Sequence, residues 1–196
     1  MAISNTNGKF YSRQGLWSLF LICALPLHIW TFILAFRDFS WVTERTNSWD
    51  AIGVISYGLI FTFFESLAIF AASTILGLFI SKKWNEKRRI AISSVLVIVI
   101  SLWAMVNDLY FLNNYSLPSY VLAFLGGFGH PLRVLYVFCF LLVTPTFLLP
   151  VYFVLRSEKF FQITQAVVER LSLLMNIYLF IDLAALAIIL IRNIQG

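Results

Sequence analysis

Three ionisable side chains lie in the middle of long apolar stretches of this sequence. They are His28, Glu65 and Asp182, and Tyr178 precedes Asp182 by about one helical turn. Carboxylates and an imidazole inside a membrane can carry protons or coordinate a cation, as intramembrane acids of pumps and transporters do. Protonated acids can instead donate hydrogen bonds to the backbone or to Tyr178 and hold helices together, because burial favours the neutral acid. The sequence leaves both interpretations open.

The same residues give weak support for a metal centre or an enzyme. His28, Glu65 and Asp182 are types that bind zinc, but they come from three separate segments without a local pattern such as H-E-x-x-H. No nucleophile is spaced with a base as covalent catalysis requires. Cys23 and Cys139 each lie inside an apolar segment, and we interpret both as small buried apolar side chains. We therefore expect no catalytic residue, no metal ion and no cofactor.

Composition places most of the chain in lipid. Of the 196 residues, 61% are hydrophobic and 12% charged, against about 45–50% and about 25% in globular domains. Because no polar run exceeds about 20 residues, residues 1–196 are expected to form a single integral membrane domain. This excludes a soluble enzyme. The net charge is +5, but the basic residues concentrate in one short loop rather than on a broad face, so we expect no nucleic-acid binding.

Five apolar segments are long enough to cross a bilayer, which predicts an all-α, polytopic transmembrane helical bundle. They are residues 16–36, 51–80, 90–112, 132–155 and 171–191. Pro26 is expected to kink the first segment, and Pro145 and Pro150 to bend the fourth. The apolar piece 120–125 is too short to span and is predicted to be interfacial or re-entrant. Residues 37–50 and 156–170 are predicted to be polar connections.

The second segment, 51–80, is the one around which the sequence suggests the bundle is organised. Small residues share the helix face of Glu65 and would let neighbouring helices come close. That face comprises Gly58, Thr62, Ala68, Ile69 and Ala72. The Glu65 face is therefore predicted to be the packing face.

A basic loop follows the second segment and carries Lys82, Lys83, Lys87, Arg88 and Arg89. Its simplest interpretation is a cytoplasmic marker, and contact with anionic lipid is the alternative. With five crossings, ten of the fourteen Lys and Arg residues fall on the side of the amino terminus. The amino terminus is thus predicted to be cytoplasmic and the carboxyl terminus to lie opposite, in the plasma (cytoplasmic) membrane. Asp108 and Arg133, each isolated at an outer helix end, are predicted to form an ion pair.

Two classes of function remain. The small size and the lack of a catalytic motif favour a scaffold or partner subunit of a larger membrane assembly, formed with other subunits or by self-association. The mid-membrane acids suit the alternative, a proton- or cation-coupled carrier or channel that is expected to be oligomeric. The two are distinguished by whether Glu65 and Asp182 line a water-accessible cavity or sit in dry contacts.

Overall fold

A computed structural model describes residues 11–79, 84–113 and 115–195 as six α-helices. Helix accounts for 91% of these residues and no strand occurs among them. The helices are α1 (Arg13–Arg45), α2 (Ser48–Phe79), α3 (Glu86–Leu112), α4 (Ser119–Gly126), α5 (Pro131–Arg156) and α6 (Glu158–Gln195). All except α4 are long and apolar enough to span a membrane. The predicted all-helical class and the five span-length helices are confirmed.

Two of the predicted polar connections are helical. Helix α1 continues to Arg45, through most of 37–50, and α6 begins at Glu158, so that most of 156–170 forms its first turns. Neither stretch contains Pro or Gly, and both are rich in residues that tolerate a helix. These polar residues therefore indicate where the two helices leave the hydrocarbon part of the membrane, and the helices themselves continue beyond that point. At about 1.5 Å per residue, α6 reaches about 57 Å, well beyond a hydrocarbon core of about 30 Å.

Helix α1, rather than the second segment, is the centre of the bundle. Eight consecutive residues, Leu19 to Pro26, are buried, and so is His28. Eight residues cover more than two turns, so α1 is enclosed on every side at this level. It packs against α2, α3 and α6. The prediction that 51–80 organises the bundle is wrong, because α2 is buried along one face only.

The packing face of α2 also differs from the predicted one. Apart from Leu59, its buried residues are small or hydroxylated: Ala51, Gly53, Ser56, Thr62, Ser66, Ser73 and Gly77. Glu65, Ala68 and Ala72 are exposed instead. The buried face is centred near Ser66, about 100° from Glu65. Serines suit this face because Ser66 donates to the Thr62 carbonyl at 2.7 Å and so needs no polar group from another helix.

Helices α4 and α5 lie at the periphery. Within α5, which is described throughout, only Val154 is buried, and it packs against Ala91 and Ile92 of α3. Cys139 is exposed on α5 whereas Cys23 is buried in α1, and both thiols are free. The interpretation of Cys139 as a buried residue is therefore wrong. Segment 120–125 belongs to α4, whose eight residues extend about 12 Å.

Candidate functional site

His28 and Asp182 form a buried pair between α1 and α6. The His28 Nε2 atom lies 3.1 and 3.0 Å from the two carboxyl oxygens of Asp182. The other ring nitrogen, Nδ1, lies 2.8 Å from the backbone carbonyl oxygen of Ala24, one turn earlier in α1. His28 is fully buried and Asp182 is 5% exposed. Two residues predicted to act together are thus in direct contact.

The number of protons at this pair follows from the hydrogen bonds. A carbonyl oxygen only accepts, so Nδ1 of His28 must carry a proton and donate it to Ala24. The contact between Nε2 and Asp182 then needs one further proton, on either the ring or the carboxyl group. A neutral histidine with a protonated acid and a charged histidine with a carboxylate both satisfy it. The pair is electrically neutral in either state, which explains how it stays buried without a Lys or Arg.

Tyr178 contacts this pair through its ring. The ring centroids of Tyr178 and His28 are 5.9 Å apart, and the two rings are tilted against each other. The Phe32 ring also packs against the Tyr178 ring, with a centroid distance of 5.5 Å. In the described part of the chain the Tyr178 hydroxyl makes no hydrogen bond to Asp182. The partner of the acid is the imidazole, so Tyr178 packs beside the pair.

Glu65 lies at a similar height but not in this site. Helices α1 and α2 meet through the hydroxyls of Thr31 and Thr62, whose oxygens are 2.5 Å apart. Thr31 lies three residues after His28, and Thr62 lies three residues before Glu65 on the antiparallel helix. The two offsets of about 4.5 Å cancel, which puts Glu65 level with His28. The carboxylate is nevertheless exposed, and it makes no hydrogen bond or ion pair with any described residue.

Glu65 instead lines a groove of about 560 Å³ between α1, α2 and α3. Along α1 the groove runs from Pro26 to Val42, sixteen residues or about 24 Å. Its walls are mostly apolar and include several small residues. Glu65 lies near its inner end, and Asp38 and Asp108 line it nearer the ends of their helices. Glu65 is thus the second polar group at this height, and sequence reasoning did not anticipate the groove that it lines.

Arg88 and Arg89 of the basic cluster belong to the first turn of α3 and contact other parts of the bundle. Arg88 pairs with Glu158 of α6 at 2.8 Å, and its guanidinium lies 5.0 Å from the Phe161 ring. Arg89 is buried with its guanidinium 5.4 Å from the Tyr11 ring. Lys87 is exposed. Contact of this cluster with anionic lipid stays a prediction, and Arg88 and Arg89 also make contacts within the protein.

Two further members of that basic cluster, Lys82 and Lys83, lie outside the described residues. Near the same end of the bundle, Glu86 accepts hydrogen bonds from the backbone and hydroxyl of Ser12, at 2.6 and 2.7 Å. Ser12 also caps α1 by accepting from the Gly15 backbone at 3.0 Å. Burial raises the pKa of the Tyr11 hydroxyl, and the Arg89 charge opposes this effect. These contacts join the starts of α1, α3 and α6.

At the opposite end, the predicted pair of Asp108 and Arg133 does not form between these described residues, both of which are exposed. Helix α3 meets α5 through Trp103, which donates to Thr146 at 2.9 Å. Asp108 lies five residues later, about 140° around the helix, and lines the groove on another side.

An ion pair between helices at this end joins α2 and α6. Arg192 donates to Asp50 at 2.7 Å and to the Trp49 carbonyl at 2.6 Å. Its guanidinium occupies the space that a side chain at Gly53 would need. Sequence reasoning missed this pair, although five crossings already put Asp50 and Arg192 on one side.

Among the described residues, no three His, Cys, Asp or Glu side chains come together as a metal site would require. The chain matches no known family model, no curated protein and no solved structure. Its function is therefore inferred from the pair and the groove.

Proposed function

We propose that this chain is a partner or scaffold subunit of a larger membrane assembly. The proposal rests on the separation of the polar groups that lie midway along the helices, with His28 and Asp182 in one place and Glu65 in another. His28 and Asp182 satisfy each other's hydrogen-bonding groups in a buried contact, whereas Glu65 lines a groove at the bundle surface and has no partner among the described residues. An acid facing lipid at this depth costs about 3 kcal/mol on insertion scales. A second chain that covers the groove would remove that cost.

A carrier is the second candidate, and one observation favours it. His28 and Asp182 hold one proton between two groups, and such a proton can in principle pass onward. Transport also requires access to that proton from both sides of the membrane, and the pair is buried. Glu65 is accessible but is directed to a different face of the bundle. These features favour the subunit over the carrier.

The test is purification of the full chain from its native membranes in a mild detergent, followed by mass spectrometry of what accompanies it. We expect specific membrane proteins to accompany it in fixed proportion. The same chain reconstituted in vesicles should show no proton or cation flux. A pH- or cation-dependent flux that disappears with Glu65→Gln or Asp182→Asn, while the fold persists, would contradict the proposal and support the carrier.

A further inference from the structure

The groove between α1, α2 and α3 has features that specify what covers it. We propose that it receives a transmembrane helix from a different chain, and that this helix carries a Lys or Arg at mid-height paired with Glu65. The inference rests on the proposed function and names the chemistry of the partner. Its basis is charge complementarity, because Glu65 is an exposed carboxylate without a partner among the described residues.

The walls of the groove suit a helix. Helices in membranes pack closely where side chains are small, since contact between the backbones replaces a hydrophobic driving force. The small lining residues come from all three helices: Thr31, Ala35, Ala51, Gly58, Thr62, Ser101 and Ala104. The groove extends about 24 Å along α1, between four and five helical turns. A small ligand site would instead require several polar groups that fix its orientation, and beyond Glu65 the inner part of the groove is apolar or hydroxylated.

The described helices of a second copy place no Lys or Arg at the height of Glu65. On α1 the basic residue closest to this height is Arg37, nine residues or about 13 Å from His28 and paired with Asp38. On α6 the closest are Arg170 and Arg192, twelve and ten residues from Asp182. Helices α2 and α4 contain no Lys or Arg, and those of α3 and α5 all lie within four residues of a helix end. The basic residue must therefore come from another protein.

Synthetic helices test the proposal without knowledge of the partner. The full chain is placed in lipid nanodiscs with a Leu- and Ala-rich peptide of about 23 residues, with Lys or Gln at its centre. Binding is measured by energy transfer between fluorophores on the two chains. We expect the Lys peptide to bind at least about tenfold more tightly, because a charge-assisted hydrogen bond forms in a medium without water.

Three variants locate the effect. Glu65→Gln should abolish the preference for the Lys peptide. Glu44→Gln, the same change at an exposed acid outside the groove, should retain it. Gly58→Leu should weaken binding of both peptides because its side chain fills the groove. A side chain at Gly58 has space, since an added Cβ would lie 3.7 Å from the Thr31 methyl, and helical content by circular dichroism checks the fold.

Equal binding of the two peptides to the parent chain, or a Lys preference that survives Glu65→Gln, would refute the inference. The inference would also fail if dodecylamine bound in a Glu65-dependent manner and the Lys peptide did not bind. The groove would then be a site for a small cationic amphiphile. If native subunits accompany the parent chain and also Glu65→Gln and Gly58→Leu, the proposed function stands and this inference fails. If none accompanies the parent chain, the proposed function itself fails.

Discussion

At the scale of single residues, a backbone carbonyl determines how His28 can interact with Asp182. Because Ala24 accepts from Nδ1, only Nε2 is left for the acid, and the two groups must share one proton. The ionisable residues stood out in the sequence as polar groups in apolar segments. Their contact did not, because it depends on the rotation of α1 and α6 about their axes. That rotation also separates Glu65 from the pair at the same height.

Substitution of Asp182 should distinguish the hydrogen bond from the charge. Asp182→Asn keeps a donor for Nε2, so we expect the free energy of unfolding in micelles to change by less than about 1 kcal/mol. Asp182→Ala leaves the buried ring nitrogen without a partner and should cost about 1–3 kcal/mol. Asp108→Asn, at an exposed acid, is the matched control and should have little effect. If Asn is as damaging as Ala, the pair requires an ionised carboxylate.

At the scale of the helices, the sequence predicted the number and positions of the apolar segments well. The spacing of small residues along the sequence was insufficient to identify the contact face of α2, because small residues occur all around this helix. The position of α1 at the centre was also missed. Its buried stretch Leu19–Pro26 is apolar throughout, and an apolar stretch looks the same whether protein or lipid surrounds it.

A pair of substitutions on α2 checks which face packs. Ser66 is fully buried while Ala68, two residues later, is exposed. Ser66→Leu should overpack the buried face of α2 and lower the free energy of unfolding by about 1–3 kcal/mol. Ala68→Leu adds a similar volume on the lipid side and should leave the unfolding midpoint almost unchanged. If Ala68→Leu lowered the free energy of unfolding more than Ser66→Leu, the packing face predicted from the sequence would be the correct one.

At the scale of the whole molecule, the ion pairs that Arg residues form between helices lie at the two ends of the bundle. One end joins the starts of α1, α3 and α6 through Ser12, Glu86, Arg88 and Glu158. The other end joins the start of α2 to the end of α6 through Asp50 and Arg192. This arrangement is the one expected when five helices cross alternately. By sequence position, five crossings assign ten of the fourteen Lys and Arg residues to the side of the first end, which we expect to be cytoplasmic by the positive-inside rule.

Single cysteines test this orientation in a background without Cys23 and Cys139. Asn85 lies beside the basic loop and Ser116 follows α3 at the opposite end, and both are exposed. In intact cells, a membrane-impermeant maleimide should label Ser116→Cys, whereas Asn85→Cys should react only after the membrane is opened. Permeabilised cells that label at both positions provide the control for accessibility. Labelling of both from the same side would contradict the five crossings, and the opposite pattern would invert the bundle in its membrane.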